Sequence, residues 1–270
     1  MSGGMIDLHF HLLPGIDDGP RTEDDAVEAA RAAANDGTST VAATPHLRQD
    51  HPAVVPSELA SRCRALEERL RAERIELGVV VAGELDVSWA LKASDEELRL
   101  CSYRQRGTDL LLETPYGPLP PRFEELLFEL QLKGYRVLLA HPERNRAFQA
   151  NPGRLEALAS RGVLVQLTAD SLVSRRRRSG SGALAQDLLA GQSAHVLASD
   201  LHGETTADRA SLSHAVAAAA SLVGEPQARW LVSDAPRAIL DGLPLPRRPD
   251  AERGGGPLGR LRERRAARRR

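Results

Sequence analysis

Seven side chains able to hold a metal ion or move a proton stand at the ends of short apolar runs in this 270-residue chain: His9, His11, His46, Glu84, His141, Asp200 and His202. His9 and His11 are two residues apart, as are Asp200 and His202. On extended chain that spacing turns both side chains of a pair the same way. Imidazoles and carboxylates without thiolates suit Zn²⁺, Mn²⁺ or Fe²⁺. With Glu113, which also follows an apolar run, the set exceeds what one ion takes. Two or three ions, bridged by a carboxylate, would use it. Asp7, two residues before His9, is a candidate supporting partner, whereas His51, His195 and His214 lie off the pattern and are read as structural.

Other chemistries find little support. Cys63 and Arg69 match the Cys-x5-Arg spacing of thiolate phosphatases, but the five intervening residues are Arg64, Ala65, Leu66, Glu67 and Glu68. That run is acidic and helix-forming, where a phosphate cradle needs Gly-rich backbone whose N–H groups lower the thiol pKa. Cys63 and Cys101, the two cysteines, are too few for a disulfide framework. No P-loop or Gly-x-Ser-x-Gly motif occurs.

The elements that must position the seven side chains are legible as alternation. Apolar runs at 5–8, 40–43, 79–82, 110–112, 137–140, 163–167 and 196–198 are short and bounded by polar or turn residues, as buried parallel strands are. Helical patterns fall between them at 26–36, 56–73, 121–133, 152–161, 183–189, 207–223 and 236–240. Thr22 and Asp25 make a capping-box pattern for the first, and Gly37 stops it. Such alternation implies right-handed crossovers and a parallel sheet, either open and doubly wound or closed into a barrel. In both forms the carboxyl ends of the strands share one face, where active sites sit. The strand-end residues, spread over 190 positions, are therefore predicted to converge.

Net charge is −1, unevenly placed: residues 247–270 carry ten arginines against three acids. This segment, with Gly254, Gly255 and Gly256, reads as a disordered basic tail. It is either a solvated extension or a contact for an acidic partner or anionic membrane surface. The remainder is acidic, which does not suit a specific nucleic-acid binder. Arg175 to Arg178 with the following Ser179 to Gly182 reads as a flexible basic loop. No basic segment followed by an apolar core opens the chain, which predicts a cytoplasmic protein. The domain organisation expected is an extension at 1–4, one domain at 5–249 and the tail at 250–270.

The runs Asp7-Leu8-His9-Phe10-His11-Leu12-Leu13-Pro14-Gly15-Ile16-Asp17-Asp18-Gly19-Pro20, Ala43-Thr44-Pro45-His46, Gly83-Glu84, His141-Pro142-Glu143-Arg144-Asn145 and Ala198-Ser199-Asp200-Leu201-His202 resemble the PHP (polymerase and histidinol phosphatase) superfamily. More narrowly they resemble its bacterial tyrosine-protein phosphatase branch, linked to capsule and exopolysaccharide synthesis. The resemblance implies a distorted seven-stranded parallel (β/α)7 barrel and a centre of about three divalent ions, usually manganese, with iron or zinc as alternatives. It implies a first ion on His9, His11, Glu84 and Asp200. A second would take Glu84, Glu113 and His141, and a third Asp18, His46 and His202, with Asp17 as the rival to Asp18. Arg144 and Arg209 match family positions for phosphate contacts. The implied activity is hydrolysis of phosphotyrosine on an autophosphorylated bacterial tyrosine kinase. A small-molecule phosphatase, acting on histidinol phosphate or a nucleotide, and a non-catalytic metal-binding regulatory subunit are the alternatives. The chain departs from the family after His46, where Leu47, Arg48, Gln49, Asp50 and His51 should line the pocket mouth.

Overall fold

The computed structural model of the protein describes residues 4–173, 178–202 and 211–250. Its strands are β1 (Met5–Phe10), β2 (Thr38–Ala43), β3 (His46–Leu47), β4 (Gly78–Val81), β5 (Glu84–Leu85), β6 (Asp109–Glu113), β7 (Arg136–Ala140), β8 (Leu164–Thr168) and β9 (Val196–Ala198). Every pairing between them is parallel. All seven predicted apolar runs are strands. The two-residue strands β3 and β5 continue β2 and β4 beyond Thr44-Pro45 and Ala82-Gly83.

Side chains from successive strands form an inner apolar layer: Ile6 and Leu8, Ala42, Leu111, Leu138 and Ala140, Leu164, then Val196 and Ala198. Tyr103, Ile239 and Leu240 pack against the same layer. The alternate strand residues, among them Val41, Leu110, Leu112, Val137, Leu139 and Val165, belong to the larger core beneath the helices. Strands buried on both faces explain why they read as near-continuous apolar runs.

Hydrogen bonding does not complete the expected closed seven-stranded barrel. It resolves into a three-stranded sheet, β1-β2-β4, and a six-stranded sheet, β3-β5-β6-β7-β8-β9. Two local causes are visible. Pro45 interrupts β2 because it has no N–H to donate. Between β1 and β9, other groups take the ladder bonds: Ile6 N–H donates to Val232 O (2.7 Å) and Leu197 N–H to Leu231 O (3.1 Å). The Asp7 carboxylate accepts from both His9 N (3.2 Å) and Ser199 N (3.1 Å). One parallel bridge, Phe10 to Leu201, remains at the carboxyl end.

The helices follow the sequence pattern with small shifts. Helix Glu23–Asn35 carries the full capping box of Thr22 and Asp25. Residues 56–58 form a 3₁₀ turn ahead of helix Leu59–Ala72, and helix Leu212–Val223 is capped by Ser211. The first residues of the helix predicted at 207–223 lie outside the described residues. Ser179 to Gly182 is not loop: Ser179 accepts from Gly182 N and opens helix Gly180–Ala190. Short helices at Val87–Ala90, Asp95–Cys101, Arg146–Ala150, Ala169–Val173 and Glu225–Trp230 fall outside the sequence pattern; most are too short for a 3.6-residue period to show. Among the described residues no helix is long and apolar enough to cross a membrane. Arg175 to Arg177, Arg209 and residues 251–270 lie outside the described residues.

His195 belongs to the scaffold. Its Nδ1 accepts from Val165 N (3.2 Å), locking β8 to the segment before β9. Burial and the nearby Arg248 push its pKa down to about 4. The unfolded chain therefore binds the proton first, at about 6.5. His195 contributes fully above that pH, and its contribution is lost as pH falls through about 4. The metal-free protein is expected to lose up to about 3 kcal/mol between pH 7 and pH 4 from this residue. His195→Asn, whose Oδ1 can still accept from Val165 N, should flatten that part of the curve in urea titrations. An unchanged slope would assign the acid sensitivity elsewhere.

Candidate metal centre

Parallel register brings the strand-end residues to one level. His46 opens β3 and is paired in register with Glu84, which opens β5. His9 lies in β1, His11 just beyond it, and Glu113 closes β6. His141 follows β7 and Asp200 follows β9, both with backbone in the left-handed region (φ 36° and 56°). Such conformations on non-glycine residues are costly and cluster at functional sites. Asp17 and Asp18 sit in the turn after His11. Gly19 makes that turn possible, since a Cβ there would stand 2.7 Å from His11 O.

All nine sequence-predicted ligands meet. They form four overlapping groups: His11, Asp18, His46 and His202; His9, His11 and Glu84; His9, His141 and Asp200; His46, Glu84 and Glu113. Glu84, fully buried, is the hub. Its Oε2 lies 3.3 Å from His9 Nε2, 3.4 Å from His11 Nε2 and 3.0 Å from His46 Nδ1. Its Oε1 lies 3.1 Å from His141 Nε2. Asp200 Oδ1 is 3.3 Å from His9 Nε2, and Asp18 Oδ1 is 3.5 Å from His46 Nε2 and 3.6 Å from His202 Nε2. Ligand bonds of ~2.0–2.1 Å at angles of about 90–110° would set ligand atoms ~2.8–3.4 Å apart. The observed spacings fall in or near that range.

Several of these contacts are poor as hydrogen bonds. His9 Nε2 and His11 Nε2 face each other at 3.1 Å. Glu84 Oε2 and His46 Nδ1 are buried, 3.0 Å apart, and without hydrogen-bond partners. Atoms aimed at a shared point rather than at one another fit a cation between them.

The electrostatics agree. Burial opposes the charge on Glu84, yet the imidazoles of His9, His11, His141 and His46 hold its carboxyl well below the usual carboxylate range. Burial likewise opposes protonation of His9, but Glu84 and Asp200 outweigh it and push the pKa up to about 9. Asp200 is held near 2, against burial, by His9, His141 and Arg144. Burial pushes Glu113 up, and the neighbouring Glu84 charge adds to it. The field that would keep protons on His9 is the field that would hold a divalent ion, so binding should release protons.

Groups behind the ligands fix their orientation, as they do in metal sites generally. Asp17 turns away from the centre: it accepts from His11 Nδ1 (2.8 Å), Gly19 N (3.0 Å) and His46 N (3.1 Å). Gln166 was missed by the sequence reading. Its Oε1 contacts His9 Nδ1 (3.0 Å) and accepts from His141 N (3.2 Å). The available signal was a lone polar residue inside the apolar run of β8. Glu143, also missed, is buried and accepts from Thr168 N (3.0 Å) and Ser171 Oγ (2.8 Å). Arg144 Nη1 donates to Asp200 Oδ2 (2.7 Å) and Tyr116 Oη (2.9 Å).

The segment after His46 does reach the centre. Arg48 Nη1 lies 3.6 Å from Glu113 Oε1, and the guanidinium also grips Asp50 (2.6 and 3.0 Å). His51, off the strand-end pattern, nonetheless stacks on His46, with ring centroids 5.4 Å apart, because the chain turns back through His51 N to Arg48 O. His214 stays in the first turn of helix Leu212–Val223. Cys63 is buried in mid-helix with its thiol pushed up to about 12 by burial and Glu67. Arg69 is occupied by Asp24 and Glu73.

Residues 5–241 match the family model described as capsular polysaccharide synthesis, CpsB/CapC. The chain belongs to the CpsB/CapC family. It is 34% identical over 202 residues to tyrosine-protein phosphatase YwqE of Bacillus subtilis (strain 168), covering 75% of this chain and 79% of that one. A putative tyrosine-protein phosphatase CapC of Staphylococcus aureus is 28% identical over 201 residues, covering 74% of this chain and 78% of that one. Among solved structures, a chain from the work on YwqE and CpsB of Streptococcus pneumoniae, described as unique metal-dependent tyrosine phosphatases, superposes with a TM-score of 0.78 at 30% identity. The match covers 93% of this chain and 100% of that one. This CpsB/CapC member thus shares the α/β parallel fold of that structure over nearly its whole length.

Proposed function

We propose that this protein is a metal-dependent protein-tyrosine phosphatase. Its substrate is an autophosphorylated bacterial tyrosine kinase in the control of capsule or exopolysaccharide synthesis, and it acts in the cytoplasm. The observation that carries the chemistry is the convergence of four overlapping groups of potential ligands, two of them sharing the buried Glu84. The names of its relatives support the substrate class. Three ions, most simply manganese with iron or zinc as alternatives, would be held by His9, His11, Glu84 and Asp200; by Glu84, Glu113 and His141; and by Asp18, His46 and His202.

Such ions supply a water of lowered pKa and neutralise phosphoryl charge. The chain supplies the rest. Arg144, beside Asp200, offers a planar donor to the phosphoryl oxygens, where guanidinium matches the geometry and charge of phosphate. Arg209 is assigned the same duty on the resemblance. Cys63, buried in mid-helix and protonated, offers no thiolate nucleophile, so the proposed route is direct hydrolysis without a cysteinyl-phosphate intermediate. A tyrosinate leaving group has a pKa of about 10 and needs little help from a general acid.

The test is metal analysis with rates on a phosphotyrosine peptide, histidinol phosphate and nucleotides, before and after chelation. Chelation should abolish phosphotyrosine hydrolysis, whereas Cys63→Ser should retain it. Faster turnover of histidinol phosphate or a nucleotide would replace the proposed substrate, and metal binding without turnover would leave a regulatory subunit.

A further inference from the structure

At the mouth of the centre one aromatic side chain is exposed. Tyr116 lies just beyond β6, three residues after Glu113, with 60% of its surface accessible. Large apolar side chains left in water are common singly, but this one is held in place. Asn145, itself 1% exposed, donates through Nδ2 to the carbonyls on both sides of it, Pro115 O (2.6 Å) and Gly117 O (3.0 Å). The acceptor of the same amide, Oδ1, takes Ala147 N (2.8 Å), so the amide has one fixed orientation. The Tyr116 ring lies nearly parallel to that of His141, with centroids 5.7 Å apart and planes at 18°. Arg144 Nη1 donates to its hydroxyl at 2.9 Å.

We propose that Tyr116 recognises the aryl group of the substrate, its ring stacking on the ring of an aryl phosphate whose phosphoryl group reaches Arg144. The inference rests on the phosphatase reading above and names the residue that selects among phosphate esters. A ring and a guanidinium side by side match the adjoining ring and phosphoryl group of an aryl phosphate. The metal ligands bind the phosphoryl end of any monoester alike, so discrimination must come from a group beyond them. Tyr116 is such a group, and the Asn145 clamp fixes it before substrate arrives, which lowers the entropic cost of binding. Aromatic pairs prefer the offset or edge geometries that an open ring at a pocket mouth can accept.

The test uses two inert phosphonates that differ only in the organic group. Inhibition constants of phenylphosphonate and methylphosphonate are measured for the wild type, Tyr116→Ala and Tyr116→Phe against hydrolysis of phenyl phosphate, with bound metal quantified in each. The wild type should prefer the phenyl compound. Tyr116→Ala should cut that preference about tenfold, while Tyr116→Phe keeps it within about twofold, since the ring remains. Metal per chain should be unchanged. A preference that survives Tyr116→Ala, or is lost equally in Tyr116→Phe, overturns the assignment. So does an equal weakening of both inhibitors, the signature of a residue that merely supports Arg144. A wild type that hydrolyses no phenyl phosphate and binds neither phosphonate overturns the phosphatase reading and this inference with it. Hydrolysis with an unaltered preference overturns the role of Tyr116 alone.

Discussion

Glu84→Gln is expected to remove about two of the three proposed ions and to lower phosphotyrosine hydrolysis on the order of 10³-fold or more. Glu84 faces His9, His11 and His46 through one oxygen and His141 through the other. It is therefore the carboxylate placed to bridge, and its charge is fully desolvated. Glutamine keeps the shape but removes the charge and one of the two acceptor oxygens. Alanine at His11, His46 or His202 removes a single neutral ligand, so each of these variants should retain more metal than Glu84→Gln. Metal per chain by elemental analysis, with circular dichroism to confirm folding, checks the ranking. A Glu84→Gln protein with a full metal complement refutes the bridge.

Arg144→Lys should leave the metal count intact and lower kcat about 10²-fold. The guanidinium is half of a geometry that lysine cannot reproduce: one nitrogen holds both Asp200 Oδ2 and Tyr116 Oη, leaving other donors of the fork for the phosphoryl group. Burial works against its charge, but Asp200, Tyr116 and Glu143 keep it cationic at any working pH. Lysine would preserve that charge as a point, without the planar pair of donors. A loss confined to kcat, at constant metal content, identifies an interaction made mainly in the transition state. Loss of metal in Arg144→Lys would instead mean that the arginine serves to orient Asp200.

By itself the sequence determined the strands and, through them, the face on which the chemistry collects. Parallel strands carry their carboxyl ends to one side, so a local pattern of apolar run followed by His or carboxylate was sufficient to place His9, His46, Glu84, Glu113, His141 and Asp200 together. The capping box of Thr22 and Asp25 was legible for the same reason, since its partners are three residues apart. Tertiary structure decided what depends on distant partners. Gln166 supports His9 across 157 residues, and Asp7 reaches Ser199 across 192. Neither link leaves a periodic trace. Asp17 and Asp18 are adjacent and chemically alike; only the turn fixed by Gly19 sends one carboxylate behind His11 and the other toward His46 and His202. Closure of the sheet was likewise beyond the sequence pattern. Apolar periodicity marks which residues are buried, but the bonds between β1 and β9 go to Leu231, Val232 and the Asp7 side chain, a competition for backbone donors settled only when the chain is packed.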